Sequence, residues 1–337
     1  MRTILCRQID EFEMIETERP VPQTGEALVR IKRIGICGTD LHAFKGNQPY
    51  FTYPRVLGHE LSGIVEQING DRLGLAVGDQ VAIIPYLECG ICVACRRGKS
   101  NCCTDMRVLG VHTDGGMREY ITVPTDHLVK VNDISLDHAA VIEPLSIGAH
   151  AVRRAGLSQG ETVLVIGAGP IGLGVMALAK NSGARVIVMD VSEERLQFCR
   201  EWAGIHDTVN ALQSPVDRLR ELTGGDLPTV VFDATGNVKS MTGAFDYVAH
   251  GGKLIYVGLV KSDITFNDPD FHKKELTLMG SRNATKEDFH AVLDVVRKKL
   301  VPLDDYITHR VSFNGMIDEF ERWMNPAAGV IKAMVEV

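Results

Sequence analysis

The chain has 337 residues, is 45% hydrophobic and 23% charged, and carries a formal net charge of −7 at pH 7. That is too much chain for one ordinary core and predicts two domains. The acidic balance excludes a nucleic-acid or anionic-membrane surface as the main partner, and no apolar run reaches membrane-spanning length.

The opening Met1-Arg2-Thr3-Ile4-Leu5-Cys6-Arg7 lacks the apolar core and cleavage pattern of a signal peptide, so a cytoplasmic location is expected. Residues 26–33 and 61–68 read as short strands rich in Val, Leu and Ile. Between them lie Gly35-Ile36-Cys37-Gly38-Thr39-Asp40-Leu41-His42, an aromatic loop, and Gly58-His59-Glu60. A thiol and an imidazole are the soft and borderline ligands that zinc takes, and a carboxylate adds an oxygen. A catalytic zinc needs three protein ligands and one position left for water or substrate. Cys37, His59 and a carboxylate are the predicted holders. Gly78-Asp79 reads as a turn entering a strand from Val81 to Pro85, and the first 145 or so residues read as β-rich.

Of eight cysteines, five lie between Cys89 and Cys103. A large cytosolic chain does not use such a cluster for disulfides. Cys89, Cys92, Cys95 and Cys103 have the spacing C-x2-C-x2-C-x7-C, and four thiolates close a tetrahedral structural zinc site. Cys102 competes with Cys103 for the fourth place. Cys6 and Cys199 read as ordinary thiols.

From about residue 150 the pattern changes. Thr162-Val163-Leu164-Val165-Ile166 is a continuous apolar strand, followed by Gly167-Ala168-Gly169-Pro170-Ile171-Gly172 and an Ala- and Leu-rich helix to about Lys180. A second strand, Arg185 to Met189, ends at Asp190. A G-x-G-x-x-G between strand and helix, with an acid about 20 residues further on, is the dinucleotide-binding arrangement. The glycines permit a tight turn, and the free N–H groups of the helix start bind the pyrophosphate. Asp190 accepts from the ribose hydroxyls and repels a 2′-phosphate, which favours NAD; Arg195 nearby works against that preference. Strands ending at Asp233-Ala234-Thr235-Gly236 and at Gly258-Leu259 put Thr235, Gly236, Gly258 and Leu259 in line for the nicotinamide half. Thr277 to Gly280 reads as the last strand, with helices from Asp288 to Lys299 and from Met316 to Trp323 behind it.

These segments together resemble the zinc-dependent medium-chain dehydrogenase/reductase family over essentially the full length. Ile142-Glu143-Pro144-Leu145-Ser146-Ile147-Gly148 and His150 to Arg154 resemble its sorbitol and polyol dehydrogenase branch. Gly46-Asn47-Gln48-Pro49, Tyr53 to Glu60, Gly110-Val111-His112, Phe271 to Lys274 and Gly280 to Thr285 resemble sugar-acid dehydrogenases within it. The resemblance implies an α/β fold: a GroES-like β-rich catalytic domain (1–148 and 286–337, structural zinc lobe 88–104) and a Rossmann doubly wound parallel-sheet domain (149–285). One departure is Asn69, where the family has Gly or Ala; Asn tolerates left-handed backbone angles, so the turn is expected to survive.

The family also implies roles. Cys37, His59 and either Glu60 or Glu143 hold the catalytic zinc, and Asp40 fixes the tautomer of His59 through its other nitrogen. Thr39 and His42 relay the proton released from the alcohol. Arg282, Asn283 and Asn47 are expected at the substrate, with Arg55 and Lys273 as further cations or as plain ion pairs; a guanidinium grips both oxygens of a carboxylate. Phe44, Tyr50, Phe51 and Tyr53 wall the pocket or pack the core. The implied activity is NAD-dependent oxidation of a secondary hydroxyl of a sugar acid, with two zinc ions per chain. The alternatives are a neutral polyol dehydrogenase, a threonine-type dehydrogenase, or a catalytically silent nucleotide-binding protein. A homotetramer or homodimer is the implied assembly.

Overall fold

The strand Glu26–Ile36 is the spine of a seven-stranded sheet in the computed structural model, which describes residues 1–337. Ala27, Val29 and Ile31 keep the period of two that puts one face of a strand in a core. A register slip between Ile31 and Arg33 then turns the inward face to Ile34 and Ile36. Glu26–Ile36 pairs antiparallel with Glu60–Asn69, and Gly35 sits opposite Glu60. The sheet continues through Gln80–Ile83 to Leu128–Lys130, and Tyr120–Pro124 also pairs with the spine.

The tail differs from its sequence reading. The expected helices form, at Lys286–Arg297 and Met316–Phe320, but Thr277–Gly280 is not the last strand: two more follow, Ile307–Ser312 and Lys332–Glu336, and the second lies directly beside the spine. Ile36 faces Ala333 and Gly35 faces Met334. The strand was missed because Lys332 interrupts the apolar run Ile331-Ala333-Met334-Val335. Asn69 also differs. It closes the strand Glu60–Asn69 and donates to the Pro22 carbonyl at 3.0 Å, while Gly70 takes the positive φ of +110°.

By contacts the chain divides into two units. One comprises Met1–Pro144, Ala284–Lys299 and Leu303–Val337, the other Leu145–Asn283 and Leu300–Pro302. The change therefore falls at Pro144/Leu145, within the helix Ile142–Ala155, rather than after Gly148. Residues 300–302 belong with the second unit, although they lie well past its sequence-expected limit.

The second unit holds a six-stranded parallel sheet in the order Thr208–Asn210, Arg185–Asp190, Thr162–Ile166, Val230–Asp233, Lys253–Tyr256, Thr277–Gly280. The chain enters at the middle and winds outward both ways, so the strand order reverses between Thr162–Ile166 and Val230–Asp233. In such sheets ligands bind at the carboxyl ends beside that reversal. The short edge strand Thr208–Asn210 had no clear sequence signal.

Candidate metal centres and dinucleotide turn

The first centre is built by a strand end, a short helix and a strand start. Cys37 follows the spine and precedes the helix Gly38–Phe44, and His59 precedes the strand Glu60–Asn69. Strand pairing brings these segments together, and Asp40 clamps them: its carboxylate accepts from the N–H groups of Cys37 (2.9 Å) and Gly58 (3.2 Å). One donor atom each from Cys37, His59 and Glu60 lies within 4.8 Å of the others. Glu60 is fully buried, with Lys332 Nζ at 2.6 and 2.7 Å from its two oxygens. The same ammonium donates to the Ile36 carbonyl at 3.0 Å. A Cβ on Gly35 would stand 2.2 Å from Glu60 Oε2, so only glycine leaves room for this carboxylate.

The expected hydrogen bond between Asp40 and His59 is not made. His59 Nδ1 lies 3.7 Å from Asp40 Oδ1, too long for one, because the two backbone N–H groups already fix that carboxylate. Nδ1 is left buried without a partner. A sulfur, a nitrogen and an oxygen donor at close range, with one orphaned buried nitrogen, fit a zinc ion.

Glu143 is not part of that cluster. Its Oε1 accepts from the phenol of Tyr86, and both residues are buried. Burial pushes the Glu143 carboxyl up to about 7; His59 pulls it down and Glu60 pushes it up, so all three are electrostatic neighbours. Burial alone would lower Lys332, but Glu60 and Tyr306 beside it hold it above an ordinary lysine. Burial opposes a charge on His59 as well; Asp40 and Cys37 outweigh it and raise the imidazole. Asp40 is itself raised by burial, against the pull of His59. Thr39 is half-buried and His42 is exposed one turn later on the same helix.

The second centre is the four-thiol lobe. Sγ–Sγ separations are 3.5 Å for Cys92–Cys95, 3.9 Å for Cys92–Cys103 and 3.4 Å for Cys89–Cys103, and all four lie within 4.8 Å. The fourth thiol is Cys103; Cys102 is exposed and outside the cluster. Backbone N–H groups of Cys89 and Asp105 point at Cys103 Sγ, each at 3.3 Å. N–H donors from Cys95 and Thr104 bring Cys92 down to about 5, while burial and neighbouring sulfurs raise Cys95 to about 12. A thiolate cage with N–H groups aimed at sulfur fits a closed zinc site.

In the second unit the turn Gly167 to Gly172 joins the strand Thr162–Ile166 to the helix Pro170–Asn181. Gly167 has φ +97°, and a Cβ on Gly172 would meet the Gly167 carbonyl oxygen at 1.8 Å. The turn has no room for side chains, which lets a pyrophosphate approach the backbone. Asp190 accepts from the N–H groups of Ala168 (2.7 Å) and Ser192 (2.9 Å), so its carboxylate also braces the turn. Arg195 donates to the Ala168 carbonyl at 3.2 Å. Asp233 accepts from the hydroxyls of Thr235 and Ser240, both at 2.6 Å, shaping the loop of Thr235 and Gly236. A Cβ on Gly258 would lie 2.4 Å from Gly236 N, so the loop carrying Gly258 and Leu259 abuts it.

The remaining candidates are divided between the two units. Asn47 is exposed in the first unit; Arg282 is exposed and Asn283 half-buried in the second. Asn283 takes a positive φ of +51°, and its buried Nδ2 has no partner. Arg55 faces Asp114 at 3.5 Å and Thr52 at 3.0 Å, which is the ion-pair alternative. Lys273 is exposed at the end of the helix Asp268–Lys273. Phe44 stacks on Phe12 in the core with ring centroids 4.8 Å apart, and Tyr50 is exposed. Sequence reasoning missed Lys332 and Tyr86. A lysine inside an apolar run was the available signal for the first, since lysine is almost never buried without a partner. Tyr86 had none.

Two zinc-type donor sets and a dinucleotide turn define a metal-dependent dehydrogenase. The family model described as "Alcohol dehydrogenase GroES-like domain" matches residues 23–133, and "Zinc-binding dehydrogenase" matches residues 170–298. The chain belongs to this zinc-binding alcohol dehydrogenase family. It is 44% identical to the L-galactonate-5-dehydrogenase of Escherichia coli K12, over 99% of this chain and 98% of that one. It is 33% identical to the L-idonate 5-dehydrogenase of Vitis vinifera, over 85% and 81% of the two chains. Among solved structures, RspB from Escherichia coli CFT073, complexed with NADH, superposes with a TM-score of 0.92 at 32% identity, covering 100% of this chain and 99% of that one. The chain is an oxidoreductase acting on small molecules. No helix is long and apolar enough to cross a membrane.

Proposed function

We propose that this dehydrogenase oxidises a secondary hydroxyl of a sugar acid to a ketone, with NAD as acceptor and L-galactonate or a related aldonate such as L-idonate as substrate. The observation that carries the proposal is the Cys37, His59 and Glu60 donor set in a chain 44% identical to an L-galactonate-5-dehydrogenase. Cys37, His59 and Glu60 hold the catalytic zinc; Cys89, Cys92, Cys95 and Cys103 hold the structural one. When bound, zinc supplies the Lewis acidity that makes an alcohol proton easy to remove, and NAD supplies the hydride acceptor.

The chain's own residues do the rest. Thr39 Oγ1 relays the proton of the substrate hydroxyl, giving up its own as it accepts, and exposed His42, three positions on along the same helix face, passes a proton to water. Gly167, Gly169, Pro170, Ile171 and Gly172 seat the pyrophosphate, Asp190 takes the ribose hydroxyls, and Arg195 borders the turn. Thr235, Gly236, Gly258 and Leu259 shape the nicotinamide half. Arg282 and Asn283 receive the substrate carboxylate, and Asn47 a hydroxyl. Metal-bound thiols fit a reducing cytoplasm. The edge strand Thr277–Gly280, with Leu278 39% exposed, offers an unpaired ladder for assembly into a homodimer or homotetramer.

NADH formation with a panel of aldonates and polyols tests the proposal. Turnover of aldonates is the expected result, and turnover of neutral polyols alone overturns it. That second reading has one supporting observation: 30% identity, over 99% of this chain, to the D-xylulose reductase of Scheffersomyces stipitis.

A further inference from the structure

The first centre holds more carboxylate than a catalytic zinc needs. Glu60 and Glu143 are both buried, and Glu143 feels the charges of both His59 and Glu60. A buried dication attracts every carboxylate within reach. Four protein ligands make a closed site, whereas a catalytic one keeps a position for substrate. Something in the protein must therefore hold one of the two back.

The restraints on the two glutamates differ. Glu60 is locked in register opposite Gly35, and its place beside Cys37 and His59 is fixed by Lys332 from the next strand but one. Glu143 stands in the first turn of the helix Ile142–Ala155, and its Oε1 is taken by the phenol of Tyr86. Tyr86 is well anchored. Its strand Tyr86–Leu87 pairs with Arg107–Val108, its carbonyl lies 3.1 Å from His127 Nε2, and its buried ring meets Phe289 edge-on at 6.2 Å. A phenol donating to a carboxylate makes one of the stronger hydrogen bonds a protein offers.

Resting on the zinc reading above, we propose that Tyr86 is a positioning residue that keeps Glu143 out of the zinc ligand set, so that Cys37, His59 and Glu60 leave the fourth position to substrate. Without the phenol, Glu143 swings onto the metal and competes with the alcohol.

The test is Tyr86→Phe in the zinc-loaded enzyme. A chelator should strip the catalytic zinc about tenfold or more slowly than from wild type, the scale of one charge-assisted hydrogen bond. The substrate KM should rise while the KM for NAD stays constant. Cys37→Ala, which keeps only the thiol-lobe zinc, identifies the signal of that lobe. In Tyr86→Phe combined with Glu143→Ala the slowing should disappear. Stripping at the wild-type rate or faster in Tyr86→Phe, or slowing that persists in the double variant, overturns the proposal. Should Tyr86→Phe not fold, Glu143→Ala alone decides: an unchanged zinc content supports the proposal, and loss of one zinc overturns it. A wild type whose zinc content does not depend on Cys37 overturns the zinc reading as well, so the two failures are distinguishable.

Discussion

Lys332 Nζ stands 2.6 and 2.7 Å from the two carboxylate oxygens of Glu60, and the side chains are 1% and 0% exposed. Removing one partner of a buried ion pair leaves an uncompensated charge and costs about 3–5 kcal/mol. Lys332→Met should therefore lose that much stability in urea denaturation. Adding Glu60→Gln should restore more than half of it. A single variant as stable as wild type would mean that the pair contributes nothing.

Cys37→Ala should abolish turnover and lower the zinc content by one per chain. NADH binding, read by fluorescence quenching, should persist, because the dinucleotide turn of Gly167 to Gly172 belongs to the other unit. Residual turnover near the wild-type rate would remove Cys37 from the site.

Cys92→Ser should act on stability before chemistry. Its sulfur lies within 3.5 Å of Cys95 and 3.9 Å of Cys103, so its loss opens the thiol cage. The expected result is one zinc fewer and a stability loss of about 2–5 kcal/mol, comparable to losing a cross-link. A stable variant lacking that zinc would contradict a structural role.

Asp79 makes a pH prediction. Burial raises its carboxyl, but Lys130 (2.8 Å), Asn132 (2.8 Å) and the Ala76 N–H (2.7 Å) outweigh burial and lower it. A folded pKa below the unfolded one gives stability that is complete above the unfolded value. That stability is lost as pH falls through the folded pKa. Asp79→Asn should cost about 1–3 kcal/mol at pH 7. The gap to wild type should close as pH drops below about 3.9. A gap independent of pH would assign the effect to shape rather than charge.

Asp190→Ala should raise the KM for NAD by about ten- to hundredfold with little change in kcat, since the carboxylate braces the turn and, in the proposed function, takes the ribose hydroxyls. Steady-state kinetics with NAD and NADP would show it; an unchanged KM would make Asp190 a mere turn residue.

What the sequence made legible was local. The thiol spacing of the lobe, the glycines after Ile166 and the Cys37 and His59 segments each carry their chemistry within a few residues. The two holders of the glutamates are not local. Lys332 reaches Glu60 across 272 positions, and Tyr86 reaches Glu143 across 57. No period or spacing encodes a pairing made by sheet register, and the C-terminal strand that sets one of them was itself hidden by its buried lysine. Asp40 shows the same limit at short range: its residue type suggested a partner for His59, but two backbone N–H groups claimed it.

The register that sets Ala333 opposite Ile36, and so brings Lys332 to Glu60, also orders events during synthesis. A growing chain displays Glu60 to the cell long before Lys332 has been translated, and domains emerge amino end first. Until that late lysine arrives, the glutamate has no buried counter-charge and the sheet lacks a strand beside its spine. Ribosome-bound intermediates should thus leave this pocket wet and unsealed.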